Sequence, residues 1–124
     1  MPIALIIEDD ESIAQLLEFL MRREAFSVEV CRDGRAAEQR IVNGVPPALV
    51  IMDVMLPYVD GFELIALLRR QPLWQDVPVL MLSAKSQEHD IVRGIEAGSN
   101  AYVVKPFQPQ ELMARVRNLV RRVA

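Results

Sequence analysis

The sequence predicts an α/β fold, a doubly wound parallel sheet of five strands in a (βα)₅ arrangement. Short apolar runs alternate with segments of helical periodicity five times over the 124 residues. The main strand segments are apolar throughout, which is typical of strands buried on both faces of a parallel sheet. Four of the apolar runs also end in a polar or charged residue. Because the carboxyl ends of parallel strands share one edge of the sheet, these residues are expected to meet at one site.

The predicted strands are short runs of aliphatic residues bounded by polar residues, glycine or proline. They are Ile3–Ile7, Val28–Cys31, Leu49–Met52, Val77–Leu82 and Ala101–Val104. Leu49–Met52 has no polar residue at any position and is predicted to be the central strand.

The predicted helices are Glu11–Arg23, Arg35–Val42, Gly61–Arg70, Glu88–Ala97 and Pro109–Val123. The first presents an apolar face at helical spacing, and Asp10 or Ser12 can cap its first turn. Glycines and prolines delimit the others. Gly34 and Gly44 flank the second helix, Pro72 follows the third, Gly98 closes the fourth and Pro109 opens the fifth. Arg69 and Arg70 are predicted to be ordinary charges at a helix C-terminus.

Composition restricts the class of protein further. A chain of 124 residues suffices for one domain with a real core. A net charge of −3 argues weakly against nonspecific binding of nucleic acid. The single cysteine, Cys31, fits a reducing, cytoplasmic compartment. No basic and apolar leader precedes Ile3, and no apolar run reaches membrane-spanning length, so no signal peptide and no membrane partner are expected.

Asp53 is the most informative residue, because it ends an apolar strand within the run VIMDVMLP. A carboxylate in such a position is costly unless a cation pairs with it or a metal binds it. The other strand ends supply acidic residues, a hydroxyl and a lysine. They are Glu8-Asp9-Asp10, Ser83 and Lys105-Pro106.

Together with Pro57 and the Asp60-Gly61 pair that opens the third helix, these residues resemble the receiver domain of two-component response regulators. The resemblance covers essentially the whole chain. It implies the flavodoxin-like receiver fold, with strand order 2-1-3-4-5. It also implies that residues 1–124 form a single receiver domain, with a possible output domain beyond residue 124.

The resemblance implies a role for each acidic residue. Asp53 is expected to accept a phosphoryl group from a phosphohistidine, which gives an acyl phosphate. Phosphoryl transfer depends on charge neutralisation and alignment, so Mg²⁺ is the expected cofactor. Its expected ligands are the carboxylates of Asp9 and Asp53 and the backbone carbonyl of Met55, with Glu8 acting through a bound water.

The same resemblance assigns the remaining site residues. Lys105 is expected to pair with Asp53 at rest and with a phosphoryl oxygen afterwards. The Ser83 hydroxyl is expected to turn to another phosphoryl oxygen, and Tyr102 is the expected switch aromatic that turns inward when Ser83 moves. The peptide bond before Pro106 is expected to be cis.

The function that these roles imply is a phosphorylation-controlled switch rather than an enzyme, promoting only its own phosphorylation and dephosphorylation. The expected phosphodonor is a sensor histidine kinase or a phosphotransfer protein. Phosphorylation is expected to change the face formed by helix four, strand five and helix five, and so to regulate an output domain or a downstream protein.

Three other functions are less consistent with the residues. A haloacid-dehalogenase phosphatase requires a second aspartate two positions after the nucleophile, where this chain has Met55. A degenerate receiver that acts only as a docking module would not require the intact acidic residues and Lys105. A flavodoxin-like flavin binder requires a phosphate-binding loop after the first strand, where Glu8-Asp9-Asp10 would repel a phosphate. Taken alone, those three acidic residues could also be a solvated loop with Asp10 as a helix cap.

The chain departs from its family at the surface that mediates dimers in the winged-helix transcriptional branch. Many relatives carry two aspartates before the switch aromatic and an arginine on helix four. This chain has Asn100-Ala101 and Ile91 there, although Arg115 and Arg117 remain on helix five. The isolated domain is therefore predicted to be a monomer or a weak dimer.

Overall fold

A five-stranded parallel sheet in the order 2-1-3-4-5 forms the centre of the molecule. The structure, a computed structural model, describes the backbone of residues 1–123 and the side chains of residues 1–121. The strands are β1 (Ile3–Ile7), β2 (Ser27–Cys31), β3 (Leu49–Asp53), β4 (Val79–Ser83) and β5 (Ala101–Val104). The helices are α1 (Glu11–Arg23), α2 (Gly34–Asn43), α3 (Gly61–Arg70), α4 (Glu88–Ala97) and α5 (Pro109–Val123). The predicted fold class, element order and strand order are confirmed.

The largest boundary error in the sequence prediction concerns β4. The strand begins at Val79 rather than Val77 and includes Ser83. The amide of Val77 is already used in a turn, donating to the carbonyl of Trp74 at 3.2 Å. Pro78 has no amide hydrogen to donate to a neighbouring strand. That turn contains a short 3₁₀ helix, Pro72–Trp74, which the sequence analysis missed.

Two apolar cores cover the two faces of the sheet. One packs α1 and α5 against the sheet, with Leu17, Met21, Leu112 and Val116 buried. The other lies beneath α2 and α3 and includes Ile41, Leu64 and Trp74. β3 and β4 are buried at every position, as expected for inner strands of a covered parallel sheet.

Aspartates are the N-cap residues of three helices, α1, α2 and α3. Asp10, Asp33 and Asp60 each accept a hydrogen bond from the backbone amide three residues later, at distances of 2.8–3.0 Å. These bonds satisfy amides that otherwise have no partner in the first turn. Asp10, rather than Ser12, is therefore the cap of α1. Among the described residues, no helix combines the length and apolar character that crossing a bilayer requires.

Arg69 has a larger structural role than its position at the end of α3 suggested. Its guanidinium donates to the carbonyls of Trp74, Gln75, Val77 and Gly98 and to the side-chain oxygen of Asn100, at 2.8–3.1 Å. The Asn100 oxygen also accepts from the amide of Val79 at 2.8 Å. Arg69 therefore joins the end of α3 to the segments that precede β4 and β5. Burial of its guanidinium lowers the pKa of Arg69 from its ordinary value.

Candidate functional site

The predicted site residues meet at the carboxyl edge of the sheet. Asp53 ends β3 and Ser83 ends β4, while Glu8 and Lys105 directly follow β1 and β5. Parallel pairing places these strand ends side by side, with Asp53 paired to Leu82 and Ser83 paired to Val104. The fold therefore brings together residues that are up to 97 positions apart in the chain.

Three carboxylates form a cluster that could hold a metal ion. One oxygen from each of Glu8, Asp9 and Asp53 lies within 4.8 Å of the others. Glu8 and Asp53 are buried, whereas Asp9 is exposed. All three donors are hard, anionic oxygens, which suit a hard divalent cation. Their mutual repulsion is reduced when a cation binds among them.

Lys105 neutralises part of this negative charge. Its ammonium nitrogen Nζ lies 2.9 Å from Asp53 Oδ2 and 2.8 Å from Glu8 Oε1. Sequence reasoning predicted the pair with Asp53 and missed the pair with Glu8. Burial disfavours the ammonium, but the hydrogen bonds with Glu8 and Asp53 outweigh burial and raise the pKa of Lys105.

Glu8 is the most deeply buried acid of the cluster, with a relative exposure of 1%. Burial raises the pKa of Glu8 to about 7, because loss of solvent disfavours its charged form more than Lys105 favours it. The negative charge of Asp53 acts in the same direction. Glu8 is therefore protonated more readily than an ordinary glutamate, and a metal ion in the cluster would favour its ionised form.

The loop after β3 is held close to Asp53. The amide of Met55 donates to Asp53 Oδ1 at 3.1 Å, and the amide of Gly61 donates to the carbonyl of Val54 at 2.8 Å. A β-carbon at position 61 would lie 2.5 Å from the Asp53 carbonyl oxygen, so only glycine permits this close approach. This contact explains the Asp60-Gly61 pair: aspartate caps α3 and glycine lets the helix begin against the end of β3.

Ser83 and Tyr102 are connected through the backbone of Lys85. The Lys85 amide donates to Ser83 Oγ at 3.1 Å, and the Tyr102 hydroxyl donates to the Lys85 carbonyl at 2.8 Å. Tyr102 is half-buried, and a β-carbon at Gly94 would lie 2.8 Å from its ring. Burial raises the pKa of the Tyr102 hydroxyl. The two predicted switch residues therefore contact the same loop.

The segment after β5 completes the site. The amide of Lys105 donates to the Ser83 carbonyl at 2.9 Å, which joins it to the end of β4. The Lys105–Pro106 peptide bond is cis, as the family resemblance predicted.

A parallel sheet in this strand order, with clustered acids, a serine and a lysine at its carboxyl edge, defines the receiver class of signalling domain. The family described as the response regulator receiver domain matches residues 4–117. The chain therefore belongs to this family, whose members are phosphorylation-dependent switches of two-component systems.

Individual relatives agree with this assignment. The chain is 41% identical to the phosphate regulon transcriptional regulatory protein PhoB of Rhizobium meliloti, over 98% of this chain and 53% of that protein. Its structure is similar to a Francisella response regulator receiver domain, with a TM-score of 0.89, 32% identity and full coverage of both chains. It is also similar to the receiver domain of the Pseudomonas aeruginosa sensor histidine kinase PA1611, which was crystallised with magnesium coordinated in its active-site cleft. That match has a TM-score of 0.85 and 26% identity, and covers 96% of this chain and 97% of the other.

The chain spans about half the length of the curated relatives it matches. Several of those proteins are named as transcriptional or DNA-binding regulators.

Proposed function

We propose that Asp53 accepts a phosphoryl group and that the resulting acyl phosphate switches the domain between two states. The observation that carries this proposal is the ion pair between Asp53 and Lys105, directly beside the Asp9 carboxylate. A carboxylate on the innermost strand, with a fixed cation next to it, is positioned for attack at phosphorus. Its Oδ1 is oriented by the Met55 amide.

The chemistry requires alignment and charge neutralisation more than covalent activation. An Asp53 oxygen forms a bond to phosphorus as the bond from phosphorus to the donor breaks. The Lys105 ammonium is close enough to transfer its hydrogen bond from Asp53 to a phosphoryl oxygen. The Ser83 hydroxyl can rotate to donate a hydrogen bond to another phosphoryl oxygen. Mg²⁺ held by Asp9, Asp53 and the Met55 carbonyl, with Glu8 acting through a water, would supply the remaining positive charge.

The switch proposal extends from Ser83 to the far side of the β4–α4 loop. If Ser83 turns to the phosphoryl group, its hydrogen bond with the Lys85 amide is released. The Lys85 carbonyl holds the Tyr102 hydroxyl, so the loop and the aromatic ring are expected to move together. This movement would alter the face formed by α4, β5 and α5, as a shift between existing states.

The class of modification can be tested on the wild-type domain. Incubation with acetyl phosphate and Mg²⁺ is expected to add one phosphoryl group, measured by intact mass, and an excess of EDTA is expected to prevent it. The adduct should be removed by hydroxylamine, because acyl phosphates react with it and phosphate esters do not. Absence of any adduct, or an adduct that hydroxylamine leaves in place, would contradict the proposed function.

Asp9→Asn is expected to weaken Mg²⁺ binding at least tenfold, because one anionic ligand of the cluster becomes neutral. Titration of Mg²⁺ followed by amide NMR shifts measures the affinity. Asp10→Asn is the matched control, since it also removes one negative charge, and asparagine caps a helix as well as aspartate. Equal affinities for Asp9→Asn and wild type, or equal losses in both variants, would reject Asp9 as a ligand.

The partners of the whole protein are also part of the proposal. A sensor histidine kinase or a phosphotransfer protein is the proposed donor, in the cytoplasm. The domain is proposed to promote only its own phosphorylation and dephosphorylation, without contacting nucleic acid or membrane. Residues 1–124 are proposed to be one receiver domain. The length and names of the relatives favour an output domain that follows it, of the transcriptional kind.

A monomer or weak dimer is proposed for the isolated domain. This is supported by the internal partners of the residues that relatives use across subunits. Arg117 pairs with Glu24 at 2.7 Å, and Arg115 lies 3.6 Å from Glu111 of the same helix. The Asn100 oxygen is engaged by Arg69. New ion pairs of Arg115 or Arg117 across subunits would have to replace these contacts, and exposed ion pairs contribute only about 0–1 kcal/mol each.

A further inference from the structure

Helix α4 is attached to the rest of the domain differently from the other α-helices. Each of the other four buries at least one large aliphatic side chain, and examples are Leu17, Ile41, Leu64 and Leu112. In α4, whose ten residues are all described, the one buried residue is Gly94. Val92 and Ile95 of this helix are exposed. Few packed side chains therefore restrain α4.

The loop before α4 connects the first turn of the helix to the phosphoacceptor site. This loop contains Lys85, whose amide and carbonyl are bonded to Ser83 and Tyr102. The N-cap residue of α4, Gln87, makes no capping hydrogen bond with its side chain. If Ser83 turns to a phosphoryl group, the movement of the loop is therefore passed to the start of α4 with little resistance from packing or capping.

Two side-chain contacts lie beneath the middle of α4. A β-carbon at Gly94 would lie 2.8 Å from the Tyr102 ring and 3.2 Å from Met81 Sδ, so the helix backbone rests directly on those side chains. The guanidinium carbon of Arg93 lies 4.1 Å from the centroid of the Phe62 ring of α3. These are packing and stacking contacts, which tolerate a small tilt of the helix better than hydrogen bonds do.

The C-terminal end of α4 is held by Arg69 of α3. Nε and Nη2 of Arg69 both donate to the carbonyl of Gly98, at 3.1 and 2.8 Å. Nη2 also donates to the side-chain oxygen of Asn100 at 2.9 Å. That oxygen accepts from the Val79 amide, and the Asn100 amide donates to the Val79 carbonyl, both at 2.8 Å. The segment that follows α4 is thereby bonded to α3 and to the start of β4.

Arg69 is itself a rigid support for this end of the helix. It follows the buried Leu68 of α3, and its Nη1 donates to the carbonyls of Trp74, Gln75 and Val77 at 2.8–3.1 Å. A guanidinium held by carbonyls on both sides cannot turn without breaking several charge-assisted hydrogen bonds. Directional bonds therefore fix one end of α4, whereas the other end follows the loop.

We propose that Arg69 is a positioning residue that makes the C-terminal end of α4 its fixed point, so that phosphorylation tilts the helix from its first turn. The proposal rests on the phosphoacceptor function of Asp53. Because the start of α4 moves with the loop that contains Lys85, the displacement is largest in residues 88–91. Because the end stays bonded to Arg69, the displacement is smallest in residues 95–98. Without the bonds from Arg69, both ends follow the loop and the helix shifts as a whole.

Beryllofluoride, an acyl-phosphate mimic, tests this division of the helix by amide NMR. In the wild-type domain with Mg²⁺, the mimic is expected to shift the amides of residues 85–91 and to leave those of residues 95–100 nearly unchanged. In Arg69→Gln, which lacks the forked cation, the shifts are expected to extend through residues 95–100. Hydrogen exchange of the amides of residues 95–98 should also become faster by about tenfold or more, as expected for lost hydrogen bonds from a charged group.

Control variants separate this role from a general loss of stability. Val116 is buried on α5 against the opposite face of the sheet, and Val116→Ala destabilises the domain without removing a bond to α4. Its shift pattern should equal that of the wild type. Asn100→Asp retains an oxygen for Arg69 and should also keep the wild-type pattern. Arg69→Lys keeps the charge but cannot bridge the same carbonyls, so it tests the same prediction if Arg69→Gln does not fold.

The outcomes distinguish the proposal from the function on which it rests. A wild-type shift pattern in Arg69→Gln and Arg69→Lys would overturn the role of Arg69, as would shifts that extend through residues 95–100 in Val116→Ala to the same degree. If the mimic shifted no amides around Asp53 in the wild type, the phosphoacceptor function itself would be rejected, and the role of Arg69 in switching with it.

Discussion

Arg69→Ala is expected to destabilise the domain by about 3 kcal/mol, because several hydrogen bonds from a charged group are lost. Each of the five oxygens that Arg69 contacts would have to find water or remain unpaired. Several of them belong to the turn before β4, where a loosened backbone also disturbs the start of the strand. In a domain of this size the midpoint of thermal unfolding should fall by about 10 °C. Urea unfolding followed by circular dichroism measures the free energy directly.

Arg70→Ala is the matched control, because the adjacent arginine of the same helix turn is exposed and donates none of these bonds. Its expected effect is below about 0.5 kcal/mol. If the two variants lost the same small amount of stability, the network around Arg69 would contribute nothing, and Arg69 would be the ordinary helix-end charge that the sequence predicted.

Lys105→Met is expected to lower the free energy of unfolding by about 3 kcal/mol at pH 8.5 in EDTA. Glu8 and Asp53 are both buried, and the substitution removes the cation that lies between them. Millimolar Mg²⁺ should offset much of the loss, since a metal among the carboxylates replaces the missing positive charge. Chemical unfolding with and without Mg²⁺ measures both effects. Lys85→Met is the control, because that lysine is exposed and unpaired.

The stability that Lys105→Met loses should depend on pH, in a direction set by the titration of Glu8. Its pKa in the folded domain, about 7, lies above its ordinary value of 4.5. Its contribution to stability is therefore fully present below pH 4.5 and is lost as the pH rises through 7. Lys105 limits this loss, so removing it should cost less stability near pH 5 than at pH 8.5. A difference between wild type and Lys105→Met that is constant over this range would contradict the assigned contacts.

The fold was predictable because its elements have strong local signals. Short apolar runs such as Leu49–Met52 predicted the five strands of the described residues. Helical periodicity, with glycine and proline at the boundaries, predicted their five α-helices. The start of β4 was wrong, because an apolar pattern cannot reveal that Val77 and Pro78 lie in a turn. The role of Arg69 was also missed, since its five acceptors come from segments distant in the chain.

The convergence of the candidate site residues could be predicted from the sequence, but their individual contacts could not. The ends of parallel strands share one edge of the sheet. The strand order implied by the family resemblance places the first strand beside the third, so Glu8 and Asp9 were expected to lie near Asp53. The second ion pair of Lys105 depends on side-chain conformations that no motif encodes. The contact between Arg93 of α4 and Phe62 of α3 was missed for the same reason, because it also depends on side-chain conformations.

The most direct test of the central claim is to locate the phosphoryl group on the chain. After reaction with acetyl phosphate and Mg²⁺, reduction with borohydride converts an aspartyl phosphate to homoserine, which peptide mass spectrometry can assign to one position. The expected result is a single modified residue, Asp53, and no phosphoryl adduct on Asp53→Asn. Modification at Glu8 or Asp9, or an adduct of wild-type yield on Asp53→Asn, would show that Asp53 is not the phosphoacceptor.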